Sequence, residues 1–168
     1  PHMDENPEST CLHTHLPRLA PEFYRGFAFV HWTHTTEDRR TGWLDSRSHA
    51  GFRELLVHAG ARYGLVCPVY CLMPDHAHLV WVGVHASSDQ QRATRFLREH
   101  SARLISPVRW QKQAYDHVLR EDERTRGAFQ LACHYVYENP VRKCLAACAR
   151  DYQFSGCVVP GYPDLDLK

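Results

Sequence analysis

The chain lacks the cysteine pattern of a disulfide-stabilised protein. Its 168 residues include seven cysteines, an odd number, and no two of them are spaced as Cys-x-x-Cys. Disulfide frameworks normally use an even number of cysteines at regular spacings. The sequence therefore predicts a reducing compartment, and we expect the protein in the cytoplasm. Cys67 with Cys71 and Cys144 with Cys148 could each share one face of an element, which leaves a zinc site as an alternative to small buried thiols.

Membrane-type segments and net charge are scarce as well. We find no signal peptide and no apolar run long enough to span a bilayer, so we expect no membrane partner. A formal net charge of +1 gives no overall indication of nucleic-acid binding. Lysine is also rare, with only Lys112, Lys143 and Lys168 among the 20 basic residues. The preference for arginine favours bidentate contacts with phosphate groups.

Length and composition predict one domain with its own core. The chain is 43% hydrophobic, and 168 residues are enough to bury a substantial apolar interior. We expect this domain at 22–158. Residues 1–21 are expected to be a flexible extension that starts with a tag-cleavage scar, Pro1-His2-Met3, and 159–168 an extended tail.

Hydrophobic periodicity alternates between strand and helix along the domain. This order predicts an α+β sandwich of ferredoxin-like (RRM-like) type, with a central antiparallel sheet and helices packed on it. We expect strands at 23–33, 65–72, 76–84 and 113–120, and helices at 49–63, 90–105 and 121–138.

The most informative motif is His76-Ala77-His78 within the apolar run at 71–82. The two-residue period of a strand directs both imidazoles to the same face. Buried polar groups require partners, so this pair indicates a metal ion or a polar cleft. His13-Thr14-His15 has the same spacing but lies in a polar, proline-bounded stretch with no strand to hold it. We expect this second pair to have no functional role.

Tyr135 lies on the predicted helix at 121–138, and Asn139 directly follows that helix. At helical spacing both fall on one stripe with two alanines. Each has an ordinary structural interpretation. Tyr135 could be a core aromatic whose hydroxyl finds a partner. Asn139 could cap a following helix that starts with Pro140 at its first position.

Three ordered motifs together resemble a known family. They are Met-Pro-Asp-His-Ala-His-Leu-Val at 73–80, Trp-Gln-Lys-Gln-Ala-Tyr-Asp-His-Val-Leu-Arg at 110–120, and Tyr-Val-Tyr-Glu-Asn-Pro-Val-Arg-Lys at 135–143. The combination is similar to the REP-associated tyrosine transposases, which belong to the HUH-type single-strand DNA nucleases. The resemblance covers about residues 23–155 and implies the same ferredoxin-like fold. One departure is Cys144, where the family often has glycine.

By this resemblance His76 and His78 are divalent-metal ligands, Tyr135 is the nucleophile, and Asn139 is the third protein ligand. The implied activity is cleavage and rejoining of single-stranded DNA at REP-type hairpins through a 5′-phosphotyrosine intermediate. Two neutral imidazoles, one amide and water oxygens suit Mg²⁺ or Mn²⁺, whereas structural Zn²⁺ normally has a closed set of thiolates or imidazoles. We expect single-stranded or hairpin DNA as the partner, and a monomer is slightly favoured.

Two arginine clusters are candidates for DNA contact. Arg92, Arg95 and Arg103 fall on the outward face of the predicted helix at 90–105, although a merely solvated face would look the same. Arg39 and Arg40 lie in a stretch that we interpret as a hairpin turn, 35–42. Both clusters could flank single-stranded DNA.

Two other functions remain open. A domesticated relative could bind hairpin DNA without cutting it, although the intact set of His76, His78 and Tyr135 favours a cleaving enzyme. A small metallohydrolase could use the same histidine pair, although the additional histidine or carboxylate ligands expected nearby are missing.

Overall fold

The computed structural model describes residues 18–159, which fold around a five-stranded antiparallel sheet. The spatial order of the strands is β4-β1-β3-β2-β5, and every neighbouring pair is antiparallel. The strands are β1 (Phe29–Thr35), β2 (Leu65–Met73), β3 (His76–Gly83), β4 (Tyr115–Val118) and β5 (Ser155–Val158). With the helices α1 (Ser46–Tyr63) and α2 (Gln90–Ser101), the first four strands form the βαββαβ unit of a ferredoxin-like fold. The predicted fold class is confirmed.

The helices α1 and α2 cover one face of the sheet. Asp45 starts α1 by accepting a hydrogen bond from the Ser48 amide at 2.7 Å, and Gly64 ends it in a left-handed conformation with φ 65°. Side chains alternate across a strand, so alternate residues of β3 enter this layer. They belong to the main core, whose members include Trp32, Phe52, Ala77, Leu79, Trp81, Ala93 and Leu97.

The other face carries the helices that follow β4, namely α3 (Glu121–Thr125), α4 (Ala128–Tyr137) and α5 (Asn139–Arg142). Val136 of α4 packs there in a smaller core with Val69 and Val80. The single helix predicted at 121–138 is wrong. Gly127, between α3 and α4, adopts a left-handed conformation with φ 85°. Glycine tolerates this conformation, but a continuous right-handed helix cannot contain it.

Other predicted boundaries also change. Residues 35–42 do not form a hairpin turn, because β1 pairs with β3 and β4 while the chain runs on through a short 3₁₀ turn towards α1. β1 begins at Phe29, six residues later than predicted, after a 3₁₀ turn at Pro21–Tyr24. α2 ends at Ser101 rather than at 105.

Cys67 and Cys71 do not share a face. The register of β2 shifts between Val66 and Val69, so Cys67 joins the main core and Cys71 the smaller one. No helix within 18–159 combines the length and apolar character needed to cross a bilayer. The predicted extension at 1–21 and the tail at 159–168 lie outside the described residues, apart from residues 18–21 and 159.

Candidate active site

His76 and His78 meet on the sheet face that carries α4. Both belong to β3, and the two residues are only 7% and 6% exposed. Their Nε2 atoms lie 3.1 Å apart. The alternation predicted from the sequence therefore brings the two ring nitrogens together in a nearly buried position.

Each imidazole is held from behind through Nδ1. The Nδ1 atom of His76 lies 2.6 Å from a carboxylate oxygen of Asp75, which can only accept, so this nitrogen donates. The Nδ1 atom of His78 lies 3.0 Å from the hydroxyl of Thr33 and 3.1 Å from Nε2 of His31. Partners of this kind orient metal-binding imidazoles in known metal sites.

Burial keeps both imidazoles neutral. It is the main cause that lowers the pKa of His78 to about 2, with further contributions from the nearby His31 and His76 rings. Burial also lowers the pKa of His76, although the Asp75 carboxylate opposes that change. Neutral imidazole is the form that binds a metal ion. Because Nδ1 of His76 donates to Asp75, Nε2 of the neutral His76 ring presents its lone pair towards His78. The Nε2 atom of His78 also presents a lone pair in the tautomer whose Nδ1 carries the proton, and the two lone pairs can then bind one cation.

The spacing of the pair fits a divalent ion. Adjacent ligands of an octahedral ion with bonds of about 2.1 Å are about 3.0 Å apart, close to the observed separation. No group of three or more His, Cys, Asp or Glu side chains that could hold a metal forms within residues 18–159. The histidine pair would thus leave several coordination positions for neutral oxygen ligands, water or substrate.

Tyr135 lies beside the histidine pair. Its ring is 45% exposed, and its centre is 5.6 Å from that of His78 and 5.8 Å from that of His31, both in edge-on contacts. The helix α4 holds it there because Val136, the next residue, is fully buried against the sheet. The structure therefore unites His76, His78 and Tyr135, as the sequence predicts.

Asn139 is 2% exposed and is the first residue of α5, one helical turn beyond Tyr135. Its predicted alternative role as a helix cap is wrong, because the N-cap residue is Glu138 and no side chain caps this helix. Pro140 occupies one of the first two helical positions, where its missing N–H costs no hydrogen bond. Ligation by Asn139 stays a prediction.

The predicted DNA-binding arginines separate into two groups. Arg92, Arg95 and Arg103 are exposed, as expected, but Arg103 lies beyond the end of α2, so the prediction that all three share one helix face is wrong. Both α2 and the residues that follow it pack in the main core, on the sheet face opposite the histidine pair. Arg39 belongs to the site, since its Nη1 lies 3.2 Å from the Asp75 carboxylate. Arg40 is exposed, and its Nε lies 3.9 Å from the Asp38 carboxylate.

Sequence reasoning missed several residues of the site. Asp75 had a signal, since it directly precedes His76. His31 and Thr33 had a weaker one, since they alternate on β1 with the same two-residue period as the histidine pair. Their contact with His78 depends on the register that pairs Thr33 with His78, which no local pattern shows.

Asp75 should tune the affinity for the metal ion. We expect Asp75→Asn to weaken Mn²⁺ binding by about 10- to 100-fold, because an amide orients the His76 imidazole less firmly than a carboxylate does. Titration followed by electron paramagnetic resonance would measure it. Asp38→Asn is the matched control, because its side chain is 81% exposed. Equal affinities for the two variants would contradict the role of Asp75.

Comparisons with known proteins agree with this fold. A solved structure of a REP-associated tyrosine transposase bound to a REP hairpin is similar, with a TM-score of 0.67, 18% identity, and 84% of this chain and 81% of that chain covered. A crystal structure of a candidate transposase from Deinococcus radiodurans R1 has a TM-score of 0.46 and 18% identity, over 61% of this chain and 87% of that one. No protein-family model and no curated protein matches. The first likeness shows a shared fold.

Proposed function

We propose that this chain is a REP-associated tyrosine transposase of the HUH type. It cleaves and rejoins single-stranded DNA at palindromic, REP-like hairpins, with Tyr135 as the nucleophile. Mg²⁺ or Mn²⁺ is held by His76, His78 and Asn139. The observation that carries the proposal is the pair of Nε2 atoms 3.1 Å apart with the Tyr135 ring 5.6 Å from the His78 ring.

Two further observations support it. The solved structure with the same fold is described as bound to a REP hairpin, which makes hairpin DNA the first partner to test. Positive side chains also lie near the pair, since Arg39 is 3.2 Å from the Asp75 carboxylate and the guanidinium carbon of Arg142 is 3.8 Å from the centre of the Tyr135 ring. The charges of Arg39 and Lys143 lower the pKa of His76, and that of Arg142 lowers the pKa of His78. Such charges favour a phosphate at this position.

The reaction requires an oxygen nucleophile and a leaving oxygen on opposite sides of one phosphorus. The Tyr135 phenol loses its proton, and the phenolic oxygen attacks the scissile phosphorus. A bond forms between that oxygen and the phosphorus of the 5′ phosphate. The bond from phosphorus to the 3′ oxygen breaks, and that oxygen takes up a proton. When bound, the metal ion supplies Lewis-acid polarisation of the phosphate. Attack by another 3′ hydroxyl reverses these steps and rejoins DNA while releasing Tyr135.

The direct test is formation of a covalent adduct. Labelled single-stranded hairpins of REP type would be incubated with the protein and Mn²⁺, and denaturing electrophoresis would separate protein-bound label. We expect an adduct that disappears when EDTA replaces Mn²⁺. Hairpin binding without any adduct under these conditions would instead favour a non-cleaving DNA-binding protein.

The salt dependence of hairpin binding should locate the DNA path. We propose that Arg92, Arg95 and Arg103 contact phosphates of the hairpin, and we expect their joint replacement by alanine to lower the log–log slope by roughly two units. Mn²⁺ binding should not change, because α2 and the residues that follow it pack on the opposite sheet face. An unchanged slope would place the path along Arg39, Arg40, Arg142 and Lys143 instead.

A further inference from the structure

Arg142 makes two contacts with Tyr135. It is the last residue of α5, and the central carbon of its guanidinium lies 3.8 Å from the centre of the Tyr135 ring. Its Nη2 donates a hydrogen bond of 2.8 Å to the Tyr135 carbonyl oxygen. One side chain thus contacts both the ring and the backbone of the proposed nucleophile.

These contacts complete the surroundings of the ring. His78 and His31 lie at 5.6 Å and 5.8 Å, measured between ring centres, and Arg142 supplies the closest of these contacts. A half-exposed tyrosine without neighbours can exchange among its staggered rotamers. A guanidinium over the face of an aromatic ring is attracted to the ring electrostatically, and this attraction favours one rotamer.

We propose that Arg142 is a positioning residue that holds the Tyr135 ring in the orientation from which its oxygen attacks. This inference rests on the proposed function. The proposed role differs from that of an arginine that only binds a DNA phosphate, because such an arginine would not affect the orientation of the tyrosine ring. A positioning role predicts slower adduct formation with little change in hairpin affinity.

Two substitutions separate the properties of the side chain. Arg142→Lys keeps the positive charge but loses the planar group, and Arg142→Gln keeps a planar donor but loses the charge. The matched control is Arg62→Gln on α1, because Arg62 also stacks on a tyrosine, with its guanidinium carbon 5.6 Å from the centre of the Tyr63 ring. That pair lies on the helix layer across the sheet from Tyr135. Thermal unfolding would confirm that all three variants fold.

Single-turnover kinetics at saturating hairpin and Mn²⁺ would measure the effect. We expect both Arg142 variants to form the adduct at least about tenfold more slowly, because a small displacement of a reacting group strongly lowers the rate of the chemical step. The hairpin Kd of Arg142→Lys, which keeps the positive charge, should stay within about twofold of wild type. Arg62→Gln should match wild type in both measurements.

A second readout follows the ring itself. In protein labelled with 3-fluorotyrosine, the ¹⁹F resonance of Tyr135 would be assigned from its absence in Tyr135→Phe. It should shift in Arg142→Gln and not in Arg62→Gln. An unshifted resonance, or a full rate combined with a weakened Kd, would overturn the positioning role. A wild-type protein that forms no adduct would refute the proposed function itself, whereas an active wild type and an equally fast Arg142→Gln would refute only the role of Arg142.

Discussion

Tyr135→Phe should reduce the covalent protein–DNA adduct below detection and leave the fold and hairpin affinity almost unchanged. Phenylalanine keeps the ring, and with it the contacts to His78, His31 and Arg142. The substitution removes only the hydroxyl oxygen, which is the proposed nucleophile. Because the side chain is 45% exposed, loss of the hydroxyl leaves no unpaired group in the core. Denaturing electrophoresis would measure the adduct, and fluorescence anisotropy the hairpin Kd.

Two other tyrosines provide matched controls. Tyr115 on β4 is the stricter control. It is the cross-strand partner of Thr33, and Thr33 is the partner of His78. Tyr115 is also 60% exposed. It therefore presents a second phenol on the same face of the sheet. Tyr137 is half-buried and packs against the smaller core. We expect Tyr115→Phe and Tyr137→Phe to form the adduct. If Tyr135→Phe forms the adduct and one of these two variants does not, the nucleophile is assigned to the wrong tyrosine.

Replacement of either His76 or His78 by alanine should eliminate metal-dependent cleavage. Each change removes one of two convergent Nε2 atoms, and a single imidazole with one amide offers the ion too few fixed ligands. The expected loss of Mn²⁺ affinity should therefore exceed that of Asp75→Asn, which leaves both ligands present. Mn²⁺ titration followed by electron paramagnetic resonance would compare the variants under the same conditions.

The controls separate ligation from general effects of histidine removal. His58→Ala should bind Mn²⁺ like wild type, because its ring is exposed on α1, where its Nε2 lies 3.7 Å from a Glu54 carboxylate oxygen. Asn139→Ala should give a milder defect than either histidine variant, since water can replace one neutral ligand. Anomalous scattering from Mn²⁺-soaked crystals should place the ion between the two imidazoles and Tyr135. An ion found instead at Cys67, Cys71, Cys144 or Cys148 would contradict the assignment.

Local patterns in the sequence were sufficient for the order of the first four strands with α1 and α2, and for the central residues of the candidate site, but not for β5 or for the division of the last predicted helix. The period of two along β3 directs His76 and His78 to one side and Ala77, Leu79 and Trp81 to the other. The helical period likewise places Asn139 one turn after Tyr135. These relations join residues a few positions apart, so backbone geometry determines them before any tertiary contact forms.

The tertiary structure decided which distant residues support that site. His31 and Thr33 reach His78 across 47 and 45 positions of the chain, and Arg39 reaches Asp75 across 36. Arg92 and Arg95 lie on the predicted exposed face of α2, and Arg103 is exposed just beyond its end, but this segment packs across the sheet from the histidines. Strand register and the face that each helix covers come from packing between distant segments. A periodic pattern states which side of an element is apolar, but it does not identify the element on which that side packs.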